Sequence, residues 1–186
     1  MDNALETKYA FVKQEVVRYD TKNPIELAAD IMKKNLIGIR GPEHHFLDGA
    51  AFLAAYKNAG GEIDLEDCLE ELARRAIKMP GAMCGHWGIC GSVASIGAAF
   101  SIIHGTSPLS TDEHYKNNME YTSSVLSDMS KIGGARCCKR NAFLALSKAV
   151  EFVNEKYGVK MENGNVRCEF SSFNRQCLEA ACPFHR

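Results

Sequence analysis

Residues 79–95 read MPGAMCGHWGICGSVAS, and the apolar, small-residue segment IGAAFSIIHG follows directly. The stretch carries two cysteines, Cys84 and Cys90, in a glycine-rich turn. From Gly91 onward the sequence predicts a helix whose glycine, alanine and serine residues let a neighbouring helix approach closely. At a helix start, unpaired backbone N–H groups and the helix dipole favour negative charge. The stretch therefore predicts a packed helix with a thiolate at its start, on the floor of a cleft.

Helical patterns lie on both sides of this stretch. Asn23 is a candidate N-cap with Pro24 and Glu26 behind it, a capping-box arrangement. The N-terminal segment KYAFVKQEVVRY fits a strand or a helix, and Asn163-Gly164 between alternating runs predicts a β-hairpin. Further helices are predicted over residues 43–60, 64–79, 110–131 and 140–158.

These patterns predict a mainly α protein. We expect a single helical domain over residues 1–186, with a small β-hairpin and an irregular cysteine-bearing C-terminal tail. Its parts are an N-terminal arm at about 1–22, a helical core at 23–158, and the hairpin and cysteine-rich tail at 159–186.

The composition narrows the class of protein. A hydrophobic content of 46% and a charged content of 24% are typical of a globular protein. The net charge is -1 and no basic run occurs, so nothing favours nucleic acid as a partner. The sequence shows neither an apolar stretch of membrane-spanning length nor a signal-peptide pattern at its start. We therefore expect a cytoplasmic protein without membrane contact.

The eight cysteines are unusual for a protein of that compartment. Disulfides seldom persist in reducing conditions, whereas clustered cysteines there bind metal or carry out redox chemistry. Cys68 lies on the apolar stripe of a predicted helix, so it is expected in the core. The other seven are candidate metal ligands: Cys84, Cys90, Cys137, Cys138, Cys168, Cys177 and Cys182.

Two cysteine groups share one layout, because GHWGICG and GGARCCKR each place glycines, then cysteine, before a predicted helix. Cys90 and Cys138 are therefore the candidate catalytic residues, and Arg136 adds positive charge beside the second group. We expect Cys90 and Cys138 to face one shared site. Cys182-Pro183 in the third group resembles cluster ligands of bacterial ferredoxins, while no C-x-x-C pair occurs.

The histidines offer weaker signals. GPEHHF places His44 and His45 at the start of a helix, where adjacent side chains point to different faces, so one of them is expected to be exposed. His86 lies within the first thiol turn. His44, His86 and Arg136 are the candidate cofactor-binding residues.

The segments GPEHHFLDGAAF, CGHWGICGSVASIGAAFS, GGARCCKR and CEFSSFNRQCLEAACPF together resemble a cysteine-rich domain family without an assigned activity. Members occur alone or behind SAM-dependent methyltransferase domains in anaerobes, so the resemblance implies such a methyltransferase, or another redox protein, as a partner. GICGSVASIGAAFSIIHG is also similar to the helix start of the redox-active C-GCAxxG-C-C family. That similarity covers about twenty residues and implies thiol or cluster redox chemistry.

Three functions remain open at this point. The first is an iron–sulfur or other metal–thiolate protein acting in redox or sulfur chemistry, since soft thiolates select such metals. The second is a metal-free thiol–disulfide or sulfur-transfer protein. The vicinal pair Cys137-Cys138 favours it, because the side chains of adjacent cysteines diverge and seldom both bind one iron–sulfur cluster. Such a pair can instead form a resolving disulfide. The third is a structural zinc domain that binds a partner protein. In each case Cys177 and Cys182 are expected to fold back over the 84–90 turn.

Overall fold

The computed structural model describes residues 3–186, and eight α-helices make up most of them. The mainly helical prediction is confirmed, and the ambiguous N-terminal segment is helical as far as Val16. None of these eight described helices is both long enough and apolar enough to cross a membrane. Two short 3₁₀ turns, Ser171–Phe173 and Glu179–Ala181, lie in the tail. The helices are α1 (Asn3–Val16), α2 (Pro24–Met32), α3 (His44–Asn58), α4 (Leu65–Ala76), α5 (Met83–His86), α6 (Gly91–Ile103), α7 (Glu113–Ile132) and α8 (Cys138–Lys156).

Helix α3 lies at the centre of the bundle. Every residue from His44 to Tyr56 is buried, and the helix contacts α1, α2, α4, α6 and α8. A helix that is apolar on all sides is stable only when other helices cover it completely. The polar residues at its first turns are therefore carried into the interior with it.

Local signals in the sequence position most helix starts. The Asn23 side chain accepts hydrogen bonds from the N–H groups of Ile25 and Glu26, as a capping residue should. Cys68 is buried on α4, as its position on the apolar stripe predicted. The predicted start of α7 at Ser110 is wrong, because Asp112 caps the helix.

Helix α6 packs closely against α3, as its small residues predicted. The backbone N–H of Gly49 donates to Ser95 Oγ at 2.9 Å. A Cβ atom on Gly49 would lie 2.6 Å from that oxygen, and one on Gly91 would lie 2.1 Å from the His45 ring. Glycine at both positions thus allows the contact that holds the start of α6 against α3.

The predicted β-hairpin around Asn163-Gly164 is wrong, since residues 3–186 contain no strand. The segment instead runs along the helices, and its backbone groups are satisfied there. The Asn154 amide exchanges two hydrogen bonds of 2.9 Å with the backbone of Met161, and Glu162 N–H donates to Lys22 O at 3.0 Å. Because these backbone groups find hydrogen-bond partners outside the segment, they do not need to pair with each other across the Asn163-Gly164 turn.

Candidate functional site

Four of the seven candidate metal ligands meet where the C-terminal tail packs against the start of α8. Cys137 lies at the N-cap of α8, and Cys168, Cys177 and Cys182 come from the tail. All four line one largely enclosed cavity of about 20 Å³, which we call the four-thiol cavity. Its apolar lining comes from Ile39, Phe170, Leu178 and Phe184.

The sequence led us to expect that the tail covers the 84–90 turn. The tail instead packs beside Cys137. The buried Asn174 is the reason, because its amide donates to Cys137 Sγ at 3.6 Å and its oxygen accepts from the Arg40 guanidinium. The tail thus passes over the start of α8, and Cys177 and Cys182 arrive there with it.

Further contacts fix the end of the tail. The N–H of Cys168 donates to Phe184 O at 2.7 Å, and the Phe184 ring packs edge-on against Phe143 at 5.6 Å between centroids. Phe170 is buried as well, whereas Phe173 is 71% exposed. Two aromatic side chains, Phe170 and Phe184, therefore anchor the tail to the helical bundle.

Backbone N–H groups point at three of the four sulfurs of this cavity. Cys137 Sγ accepts from Arg140 N at 3.5 Å, Cys168 Sγ from Phe170 N at 3.4 Å, and Cys177 Sγ from Glu179 N at 3.4 Å. Such donors stabilise a thiolate relative to a thiol, and hydrogen bonds to sulfur also tune bound iron–sulfur clusters. The local backbone is thus shaped for negatively charged sulfur.

The electrostatics of the four-thiol cavity combine thiol crowding with nearby cations. Burial raises the pKa of Cys168, and the neighbouring sulfurs of Cys137, Cys182 and Cys177 raise it further. The cationic side chains Lys139 and Arg140 also line the cavity. A bound cation would offset the mutual repulsion of the thiolates, as metal ions do for clustered cysteines.

A second cavity, of about 230 Å³, lies where the first turns of α6 and α8 meet. Cys90 lies at the N-cap position of α6, Cys138 begins α8, and Cys84 lies in α5. All three line this helix-start cavity. The structure therefore brings the two candidate catalytic cysteines to one place. Cys137 lines both cavities, so the vicinal pair Cys137-Cys138 connects them.

Hydrogen-bond donors surround the Cys90 sulfur. The Asn141 amide donates to Cys90 Sγ at 3.3 Å. The nearby backbone N–H groups of Ser92 and Val93 also favour the thiolate, although the Cys90 side chain makes no capping hydrogen bond to the helix. Burial nevertheless raises the pKa of Cys90, because these donors offset only part of the desolvation. Burial likewise raises the pKa of Cys138 to about 11. Without a bound ligand, both side chains are therefore mainly thiols at neutral pH.

A buried polar cluster lies beside the helix-start cavity. His44 Nδ1 is 3.8 Å from Asp48 Oδ1, and His44 Nε2 is 3.4 Å from Lys139 Nζ. The Lys139 ammonium also donates a hydrogen bond to Gly38 O at 2.9 Å. Burial lowers the pKa of Lys139 to about 8. Asp48 was missed from the sequence, although its place four residues after His44, one helical turn away, is a usable signal.

The other predicted site residues have mixed outcomes. His44 and His45 are both buried, at 1% and 7% exposure, so the expectation that one is exposed is wrong. The reason is the position of α3, which is covered on every side. Arg136 lines the helix-start cavity from an exposed position, while the exposed His86 lines a neighbouring, more open cavity together with Cys84 and Cys90.

As the side chains stand, no group of three or more His, Cys, Asp or Glu residues within 3–186 is arranged to hold a metal ion. The four thiols of the four-thiol cavity share a space, yet metal binding there requires their side chains to turn inward. Three of the four lie on irregular backbone, which permits such rotation.

The fold and its two cavities define a mainly helical, cysteine-rich domain. A family model described as "Family of unknown function (DUF5714)" matches residues 12–185, so the chain belongs to that family. No curated protein matches the chain. No solved structure matches it either. The cytoplasmic location and the methyltransferase partner stay predictions from the sequence.

Proposed function

We propose that the protein is a metal–thiolate protein that binds an iron–sulfur cluster at Cys137, Cys168, Cys177 and Cys182. The observation that carries this proposal is that these four thiols line one enclosed cavity. Four cysteine thiolates are the usual ligand set of such clusters. The spacing along the chain is irregular because the ligands come from a helix start and a tail.

The surroundings of the four sulfurs support a bound metal over an inert thiol cluster. Backbone N–H groups donate to three of the sulfurs, and cationic side chains line the cavity. Both features stabilise a thiolate more than a neutral thiol, and the thiolate is the form that binds metal. The apolar lining excludes water, which protects a cluster and strengthens its electrostatic interactions.

The pair Cys182-Pro183 favours a cluster over a single zinc ion, because cysteine followed by proline recurs at cluster ligands of bacterial ferredoxins. Four thiolates also bind a single zinc ion tetrahedrally. Zinc is therefore the alternative occupant, and the same experiment detects it.

The test is metal and sulfide analysis of anaerobically purified full-length protein. We expect iron and acid-labile sulfide in equal amounts and broad visible absorption. Cys177→Ala should lose most of the iron, while Cys68→Ala, which removes a buried thiol on α4, should keep it. Zinc that depends on Cys177 would replace the cluster assignment with the zinc alternative. Protein that binds neither metal, or a Cys177→Ala variant with full metal content, would overturn the site.

A further inference from the structure

The helix-start cavity has features that the proposed cluster does not use. Its thiols Cys90 and Cys138 lie at the starts of two helices that contact each other. Asn141, which donates to Cys90 Sγ at 3.3 Å, follows Cys138 by three residues. Side chains three residues apart share a face of a helix. Cys138 therefore projects from the same face of α8 that contacts the Cys90 sulfur.

The same cavity is also lined by a buried histidine. His45 is 7% exposed, and its ring packs against Gly91, the residue after Cys90. Burial lowers the pKa of His45, so the ring is neutral at neutral pH.

We propose that Cys90 and Cys138 form a redox-active dithiol that reduces a small disulfide bound in the helix-start cavity. The substrate is expected to be small, because the cavity of about 230 Å³ lies below the volume range of pockets for drug-sized ligands. Arg136 lines the cavity and is the side chain that would bind a carboxylate of such a substrate. This proposal does not rest on the iron–sulfur cluster, because neither Cys90 nor Cys138 is among the four proposed ligands.

The reaction proceeds in two balanced exchanges. Cys90 loses its proton to water, and its thiolate attacks one substrate sulfur. The substrate S–S bond breaks, the first thiolate leaves with that proton, and a mixed disulfide remains on Cys90. Cys138 then loses its proton and attacks the Cys90 sulfur. A Cys90–Cys138 disulfide forms, and the second thiolate leaves with the Cys138 proton.

Two electrons therefore pass from the two protein thiols to the substrate disulfide, which becomes two thiols. A single turnover needs no other reactant. The roles differ because Cys90 has the donors that stabilise an attacking thiolate, while Cys138 only has to reach the Cys90 sulfur. Cys84, which lines the same cavity, is the competing second thiol that the experiment must separate.

The test uses reduced full-length protein, mixed anaerobically with L-cystine and then alkylated for peptide mapping by mass spectrometry. We expect the wild type to release two cysteines per chain and to carry a Cys90–Cys138 disulfide. Cys138→Ala should release only one and retain a mixed disulfide on Cys90. Cys90→Ala should lose the release, and Cys68→Ala should behave as the wild type. Arg136→Ala should slow the reaction with cystine but not with cystamine, which lacks carboxylates.

Three results would overturn the proposal. They are a wild-type disulfide between Cys90 and Cys84, a mixed disulfide on the tail cysteines instead of Cys90, or unchanged cysteine release from Cys90→Ala. The trapped species in Cys138→Ala keeps the test valid if Cys90→Ala folds poorly. Iron measured in the same samples separates the two proposals, because Cys90→Ala should keep its iron even if the dithiol reaction is absent.

Discussion

The two thiol cavities share Cys137 but are built in different ways. In the helix-start cavity, Cys90 and Cys138 lie on α6 and α8, which pack directly against the central helix α3. In the four-thiol cavity, three of the four cysteines lie on a tail whose only regular structure is two short 3₁₀ turns. Thiols on packed helices are positioned by the hydrophobic core, whereas thiols on irregular backbone are positioned by a few local contacts.

This difference favours different chemistry in the two cavities. A reactive thiol pair needs positions that persist through oxidation and reduction, and packed helices supply them. A metal site can instead obtain its order from the metal, because the binding free energy also orders the backbone that carries the ligands. Within residues 168–186, Phe170 is the one buried core residue, while Cys168 and Phe184 pack against the core partly buried. This part of the chain therefore depends most on a bound ligand.

The largest effect we predict is on the mobility of the tail. Amides of residues 168–182 should exchange with deuterium at least about tenfold more slowly in the metal-loaded protein than after anaerobic chelation. The reason is that about 1.4 kcal/mol of binding free energy already slows exchange by a factor of ten. Amides of α3 and α6 should change little, because the core already holds them. Hydrogen-exchange mass spectrometry of the two forms measures this difference.

The matched control is Cys177→Ala, in which the tail should exchange at the chelated rate with or without added iron. Two outcomes would contradict the comparison between the cavities. One is equal protection of the tail in both forms. The other is a loss of protection in α3 and α6 on chelation, because it would show that the helical core also depends on the metal.

A smaller effect is predicted for the close packing that fixes the helix-start cavity. In Gly49→Ala, the new Cβ would lie 2.6 Å from Ser95 Oγ and 2.9 Å from the Ser95 carbonyl oxygen. Such overpacking costs about 1–3 kcal/mol, more than the up to about 1 kcal/mol gained from helix propensity. We expect the free energy of unfolding to fall by about 1–2 kcal/mol, measured by urea denaturation.

Gly85→Ala is the control for this prediction, because a Cβ atom there would meet nothing within 4 Å. Its free energy of unfolding should stay within about 0.5 kcal/mol of the wild type. If Gly49→Ala were as stable as Gly85→Ala, helix α6 would have room to move against α3. The helix-start cavity would then be no more rigid than the tail.

The sequence was sufficient to predict the helices and the crowding of cysteines, because these depend on local patterns. The Asn23 cap, the buried stripe through Cys68 and the small residues of α6 each act within one or two helical turns. The assignment of tail cysteines to a cavity depends instead on Asn174 and Arg40, which are 134 residues apart in the chain. No local pattern encodes such a contact.

The hairpin prediction failed for a related reason. Asn163-Gly164 is a good turn sequence, but Asn154 and Lys22 take the hydrogen bonds that a second strand would need. Likewise, helical spacing alone could not show that both His44 and His45 are buried. That outcome follows from the central position of α3, which other helices cover on all sides.

The smallest effect we predict concerns the acidity of Cys90. Asn141→Ala removes the donor 3.3 Å from Cys90 Sγ, so the thiolate loses one hydrogen bond while the neutral thiol loses little. The pKa of Cys90, which burial already raises, should therefore rise further. A hydrogen bond to a charged group contributes about 1.5–3 kcal/mol, which corresponds to a shift of about one to two pH units. The pH profile of Cys90 alkylation by iodoacetamide should move to higher pH by that amount.

The control for this shift lies in the other cavity, where Asn174 donates to Cys137 Sγ at 3.6 Å. Asn174→Ala should loosen the tail but leave the Cys90 profile in place, because its amide contacts a different sulfur. An unmoved profile in Asn141→Ala would show that the backbone donors of Ser92 and Val93 suffice to set the acidity of Cys90. A shift of the Cys90 profile in Asn174→Ala would instead show that the two cavities are coupled through the Cys137-Cys138 peptide. In that case the tail would control the reactivity of the helix-start cavity, and the two sites would have to be treated as one.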